Sequence, residues 1–332
     1  APQPNVTEGK ASDAWSFALS AGVHGSVATS ASTVAPAMHG ASSRTITVSS
    51  VPAAARGSAP TPTAALLNRG LGNEGFYFEA GKEYEGYFFA RCQDAVTLVV
   101  RLEDYERGEY PGASLAEWST DFQCGASPDD WVKVEFALTP TAGTQCVGID
   151  VGSDPAVHCT QPTDELGHAC VRCAGQFSLG LASAGRVDLD YVWLQPGAWG
   201  RVGDLPVRKQ TADVLTQMGI RTIRLGGSFA SVTAWPDGGG GTPPSDVSGE
   251  YYQWQKWTGP PWLRPSVGAV WNAYSGDSYS LIGPFGPFEF LAMTMALGIE
   301  PILTTTSSST AAELADLVEY CWGNASTPMG AK

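Results

Sequence analysis

The chain has 332 residues, long enough for two domains and a sizeable core. Its formal net charge is −14, from 19 Lys and Arg against 33 Asp and Glu, and no dense basic cluster offsets it, which excludes nucleic acid as the main partner. No apolar run approaches the ~20 residues of a membrane-spanning helix.

Residues 1–63 are rich in Ala, Ser, Thr and Pro, the composition of a loosely packed or mucin-like lead. One strand-like alternation stands out, Thr45-Ile46-Thr47-Val48. Ala1 would suit a mature N-terminus left by leader cleavage. Asn5-Val6-Thr7 is the first of two glycosylation sequons.

Residues 64–198 read as all-β. Tyr84–Ala90 is aromatic-rich, Val96–Leu102 is β-branched and apolar, and Trp131–Leu138 alternates. Val187, Leu189, Tyr191 and Trp193 alternate with Asp188 and Asp190, the period of a half-buried strand. Turn signals at Tyr110-Pro111-Gly112 and Ser127-Pro128-Asp129-Asp130 separate these runs, so a jelly-roll-like β-sandwich is expected. There are seven cysteines, and all but Cys321 fall between Cys92 and Cys173. That clustering points to disulfides in an oxidising compartment, with 15 possible pairings of the six. Cys321 is expected to be a buried free thiol. A zinc site of His158, Cys159, His168, Cys170 and Cys173 is the weaker alternative, because no second CxxC or HxxxH completes it.

The pattern changes after Pro196. Lys209–Met218 reads as a helix burying Val214, Leu215 and Met218, with Gly219 as its stop. An apolar strand follows over Ile220–Leu225. The next helix is Pro287–Leu297, with Phe288, Leu291, Ala292 and Met295 at helical spacing. A second strand is expected over Pro301–Thr305. A third helix opens on the capping box Thr310-Ala311-Ala312-Glu313 and buries Leu314, Leu317, Val318 and Cys321. Asn324-Ala325-Ser326 is the second sequon. Strand–helix alternation predicts a parallel sheet with helices outside. The connection from Gly226 to Gly286 is about sixty residues, far above the usual 2–6. It carries Trp235, Trp254, Trp257, Trp262 and Trp271, rings suited to stacking on sugar faces or to packing the loop itself.

Several motifs fall in a shared order: Arg224-Leu225-Gly226-Gly227, Trp254-Gln255-Lys256, Gly259-Pro260, Arg264-Pro265, Trp271, Glu289-Phe290-Leu291, Gly298-Ile299-Glu300-Pro301 and Val318-Glu319-Tyr320-Cys321. In this order the chain resembles the α-L-arabinofuranosidases of glycoside hydrolase family 51. Leu67-Asn68-Arg69-Gly70 and the β-region to Trp193 resemble the sandwich, similar to a family 4 carbohydrate-binding module, that precedes the barrel in eukaryotic-type members.

Composition and pattern set off residues 1–63 and a β-sandwich over 64–198, and the resemblance, which covers about 64–332, makes 199–332 the first two strands of a (β/α)8 TIM barrel with their helices. It implies a secreted retaining hydrolase of arabinose-containing glycans, with two catalytic glutamates on later barrel strands. No catalytic residue is therefore expected in this chain, which alone would be inactive. Glu289 and Glu300 are read as structural, one on a helix and one preceding its strand. The resemblance carries Arg224, Gly226, Gly227, Ser228 and Trp271 over as substrate-binding residues; the two sequons make Asn5 and Asn324 the expected glycosylation sites. It implies no cofactor and no metal.

Two barrel strands would leave an open sheet edge, so a covering partner is expected, either further chain or another subunit. Departures from the family pattern include the missing proline before Gly226-Gly227, Thr304-Thr305-Thr306-Ser307 in place of an Asn-rich turn, and an insertion over 236–250. They favour a second reading, a non-catalytic carbohydrate-binding or structural extracellular glycoprotein.

Overall fold

A computed structural model describes residues 15–30, 37–39, 43–52, 63–70, 75–105, 112–148, 171–225, 254–264, 267–268, 280–281, 285–305 and 309–331. The chain divides into two compact units, Ala1–Gly197 and Ala198–Lys332.

The first unit holds two five-stranded antiparallel sheets. One runs β1 (Trp15–Leu19), β4 (Ala64–Asn68), β11 (Gly175–Leu181), β6 (Val96–Asp104), β7 (Ala113–Phe122). The other runs β2 (His24–Ser30), β3 (Ser43–Ser50), β12 (Gly185–Pro196), β5 (Tyr84–Cys92), β8 (Val132–Leu138). A short ribbon pairs β9 (Cys146–Gly148) with β10 (Val171–Cys173). The period of two in each strand sends alternate side chains inward. Leu98, Val100 and Leu102 on β6 register with Leu181, Leu179 and Phe177 on β11, and all six are buried. Phe88 and Ala90 on β5 register with Val134 and Val132 on β8. Phe136 meets Phe88 in its own sheet at 6.1 Å, and Trp118 and Phe177 of the other sheet at 6.2 and 6.0 Å. These rings join the layers into one core. Gly86 makes room for them, since a Cβ there would stand 2.1 Å from the Trp193 carbonyl and 2.5 Å from the Phe136 ring.

The Ala/Ser/Thr-rich start does not stand apart from this sandwich. It supplies β1, β2 and β3, with β1 paired to β4 and β3 paired to β12. Small and β-branched residues suffice on these strands, because only a few positions, such as Ile46 and Val48, enter the core. Disulfides join Cys92 to Cys124 and Cys146 to Cys173. Cys173 is thereby removed from the zinc alternative; His158, Cys159, His168 and Cys170 lie outside the described residues.

The second unit pairs β13 (Thr222–Leu225) with β16 (Glu300–Leu303) in parallel. Among the described residues its α-helices are α1 (Lys209–Gln217), α2 (Pro287–Leu297) and α3 (Ala311–Trp322), and a two-residue ribbon joins β14 (Val267–Gly268) to β15 (Ser280–Leu281). Val207, Phe290 and Met293 form its core, with Ile223, Leu225, Leu297 and Leu303 packed around them. Gly298 ends α2 at φ 64, a left-handed stop that favours glycine. Glu313 and Thr310 form the expected capping box, with Glu313 N–H donating to Thr310 Oγ1 at 3.2 Å and Thr310 N–H to Glu313 Oε2 at 2.7 Å.

Several expected faces differ. Val214 and Met218 on and after α1 are 51% and 69% exposed, and Ala212 is the residue α1 buries. On α2, Phe288 and Met295 are exposed, while Pro287, Phe290, Met293 and Thr294 are buried. That helix is apolar on most sides, so spacing alone does not select its inner stripe. Leu317 is buried on α3, but Leu314 and Val318 are exposed and Cys321 is only half-buried. Glu300 does not precede its strand; it opens β16, opposite Thr222. Two parallel strands with helices are what the described residues provide, and they do not show a barrel.

Candidate functional site

The outer face of the β2-β3-β12-β5-β8 sheet gathers the chemistry. On β5, Tyr87, Phe89 and Arg91 alternate with inward Phe88 and Ala90, and so share the outer face. Register places Arg91 beside Asp188, Phe89 beside Asp190, Tyr87 beside Trp193 and Glu85 beside Gln195 on β12. Thr45 on β3 lies opposite Asp188, and Lys133 on β8 opposite Phe89.

A fixed polar floor results. Arg91 Nε donates to Asp188 Oδ2 at 2.9 Å, and Thr45 Oγ1 donates to Asp188 Oδ1 at 2.6 Å. Arg91 is 4% exposed and Asp188 8%, so this is a buried, hydrogen-bonded ion pair. Trp193 Nε1 donates to Gln195 Oε1, whose Nε2 donates to Glu85 Oε1, both at 3.0 Å.

Aromatic rings frame the floor. The Arg91 guanidinium sits 4.5 Å from the Trp131 ring centre, and Lys133 Nζ sits 4.5 Å from that of Tyr87. Tyr87 stacks on Tyr191 at 6.0 Å and 13°, and His39 meets Tyr191 edge-on at 5.1 Å. A bulge between Asp190 and Trp193 turns β12 here, with Tyr191 at φ 44, a conformation rare for a residue with a Cβ. Asp190 holds the bulge by accepting N–H bonds from Tyr191 at 2.7 Å and His39 at 3.0 Å. Burial pushes its carboxyl pKa up, against the pull of those donors. Tyr191 is buried, but the half-buried rings of Trp131 and Tyr87 beside fixed donors and acceptors can stack on the apolar face of a sugar and orient its hydroxyls.

The strand-end site expected from the sequence is only partly visible. Ile223 and Leu225 turn toward the core of their unit, while Arg224 is exposed on the opposite face of β13, in register with Ile302. Gly226, Gly227, Ser228, Trp271 and Asn5 lie outside the described residues, as does Trp235. Among the described residues, no carboxylate stands at the C-terminal ends of β13 and β16, where Leu225, Leu303, Thr304 and Thr305 are found.

Trp254 is buried, with its ring 5.1 Å from Tyr320 and its Nε1 donating to Glu313 O at 3.2 Å, so it anchors α3. Glu289 is also structural. Arg264 NH1 and NH2 clamp its carboxylate at 3.0 and 2.7 Å, and the Gly259 carbonyl accepts from Arg264 Nε at 3.0 Å. Asn324 is exposed in the turn after α3.

Sequence reasoning missed Arg91, Tyr87 and Trp131 as a group. The Asp188/Asp190 alternation marked the outward face of β12, but its partner strand could not be chosen from one strand's period.

No protein-family model matches the chain, and no curated protein matches it. Solved structures do. The arabinose-bound MgGH51 α-L-arabinofuranosidase is similar over 99% of this chain and 46% of its own, at 19% identity and a TM-score of 0.61. At that identity the likeness is one of fold, and the chain spans less than half of that enzyme's length. A CBM4 structure matches 55% of this chain and 95% of its own, at 18% identity and a TM-score of 0.30. The N-terminal cellulose-binding domain of Cellulomonas fimi β-1,4-glucanase C matches 59% and 99%, at 15% identity and 0.30. Scores that low carry no inference.

Proposed function

We propose that this chain is the N-terminal, glycan-recognising part of a secreted hydrolase resembling a retaining α-L-arabinofuranosidase, acting on arabinose-containing glycans. The supporting observation is a fold likeness to such an enzyme along 99% of the chain. On this reading β13 and β16 are the first two strands of a (β/α)8 barrel, and Arg224, Gly226, Gly227, Ser228 and Trp271 line its sugar site. The acid/base and nucleophile would be two carboxyls about 5–5.5 Å apart, supplied from outside these residues. The two disulfides fit an oxidising, extracellular setting.

A second reading is favoured by the outer sheet face. Its rings and fixed polar groups need no catalytic carboxylate, so the chain would bind glycan without cleaving it. The deciding experiment offers an aryl α-L-arabinofuranoside and soluble arabinan to the native full-length protein and to this chain. Release by the full-length protein, and none by this chain, is expected. Arabinan binding without release by the full-length protein would establish the second reading, and neither binding nor release would sink both.

A further inference from the structure

α3 ends on Trp322, and Gly323 turns the chain at φ −72 and ψ 161. Only glycine fits there, because a Cβ would lie 2.2 Å from the Glu319 carbonyl. The next residues close into a compact turn. Asn324 Oδ1 accepts from Ser326 N–H at 2.9 Å, and the Asn324 carbonyl accepts from Thr327 N–H at 2.8 Å and Thr327 Oγ1 at 2.9 Å. Glu319 ties the turn back to the helix by accepting Met329 N–H at 2.9 Å. Asn324, Ala325 and Ser326 are all exposed and form an Asn-X-Ser sequon. Two residues before the asparagine, Trp322 is 77% exposed, an unusual setting for so large an apolar ring.

We propose that Asn324 carries an N-linked glycan and that its first N-acetylglucosamine packs on the Trp322 indole. The donor is a lipid-linked oligosaccharide pyrophosphate. The Asn324 amide nitrogen bonds to the sugar C1, the bond from C1 to the pyrophosphate oxygen breaks, the lipid pyrophosphate leaves with the electron pair, and the amide gives up one proton. The transfer is a substitution with no redox change, and it takes place in the secretory lumen where disulfides such as these two form. An exposed indole offers the flat surface that the C–H face of a pyranose covers. The assignment does not depend on whether the chain takes part in glycan hydrolysis.

The test is peptide mapping of the full chain secreted from eukaryotic cells. After amidase release, the peptide containing Asn324 should read as aspartate at that position. Asn324→Gln and Ser326→Ala should each remove one glycan's mass, with any glycan on Asn5 counted separately through Asn5→Gln. Stacking is read from thermal midpoints. Protein trimmed to one N-acetylglucosamine should melt about 2 °C above fully deglycosylated protein, and Trp322→Ala should erase that gap. An unmodified Asn324 in secreted chain with both disulfides formed would overturn the site. A gap that survives Trp322→Ala would overturn the packing.

Discussion

Arg91 and Arg264 are both buried cations, and their neighbours give them different work. Arg264 clamps the Glu289 carboxylate and bonds the Gly259 carbonyl, which ties α2 to the segment before it. Removing the charge of Glu289 leaves a guanidinium buried without its counter-ion, and Glu289→Gln should cost about 3–5 kcal/mol in urea unfolding of the 198–332 unit. Arg91 instead lies under Trp131 on an outer sheet face. There Trp131→Ala and Tyr87→Ala should each weaken arabinan binding about tenfold, the equivalent of about 1.4 kcal/mol, read by titration calorimetry. Unchanged affinity in both would remove this face as the glycan site. Glu103 sets a pH dependence. It is 0% exposed and accepts from Gln176 Nε2 at 2.9 Å and Ser178 Oγ at 2.8 Å, yet burial pushes its pKa up. The folded state therefore holds this proton more tightly than the unfolded chain. Its contribution is full below the ordinary glutamate range and is lost as pH rises through the raised value. Urea midpoints of Glu103→Gln should fall less than wild type over that window. Asp190, raised in the same direction, keeps the variant from being flat.

At the scale of elements, the sandwich is closed by pairings between strands distant in sequence, such as β11 with β4 and β12 with β3. The Cys92–Cys124 bridge restrains the unfolded chain across a separation of 32 residues. Replacing both cysteines by serine should cost about 3–4 kcal/mol on the loop-entropy estimate, read as a lower urea midpoint of the first unit. β12 shows why local pattern is incomplete. Its alternation over Val187–Asp190 is legible as a half-buried strand, but the bulge at Tyr191 reverses the phase. Trp193, which that alternation places beside Val187 and Leu189, ends on the outer face opposite Tyr87. Local pattern does not announce the switch, since one of the two N–H groups that hold Asp190 in place comes from His39, 151 residues away.

For the whole molecule, the two units differ in what they leave uncovered. Among the described residues, large exposed apolar side chains of the first unit are Leu19 and Tyr77. Those of the second are Val214, Met218, Leu263, Phe288, Met295, Ile302, Leu314, Val318 and Trp322. With Trp322 assigned to a glycan, the rest still spread over three helices, a turn and the open face of β16. On the proposed reading this surface is where further chain or another subunit would pack. The chain should bind a hydrophobic dye, and the full-length protein should not. A monodisperse monomer that leaves the dye dark would contradict this.

The sequence by itself determined the kind of each region, all-β before Pro196 and strand–helix alternation after it, and about half of the sandwich strands. Period-two runs, capping residues and Gly stops are local signals, and they located β3, β5, β6, β8 and β12, the two parallel strands and the three described helices within a few residues, while β1, β2, β4, β7 and β11 carried no run that stood out. It also carried the resemblance on which the functional proposal rests. Only the tertiary structure decided which faces are covered. It drew the Ala/Ser/Thr-rich start into both sheets, chose the inner stripe of an almost uniformly apolar α2, paired four of the cysteines, and set Arg91 against Asp188 and Trp131. Each of these depends on which distant segment lies opposite, and hydrophobic burial and cross-strand hydrogen bonding settle that only when the layers meet.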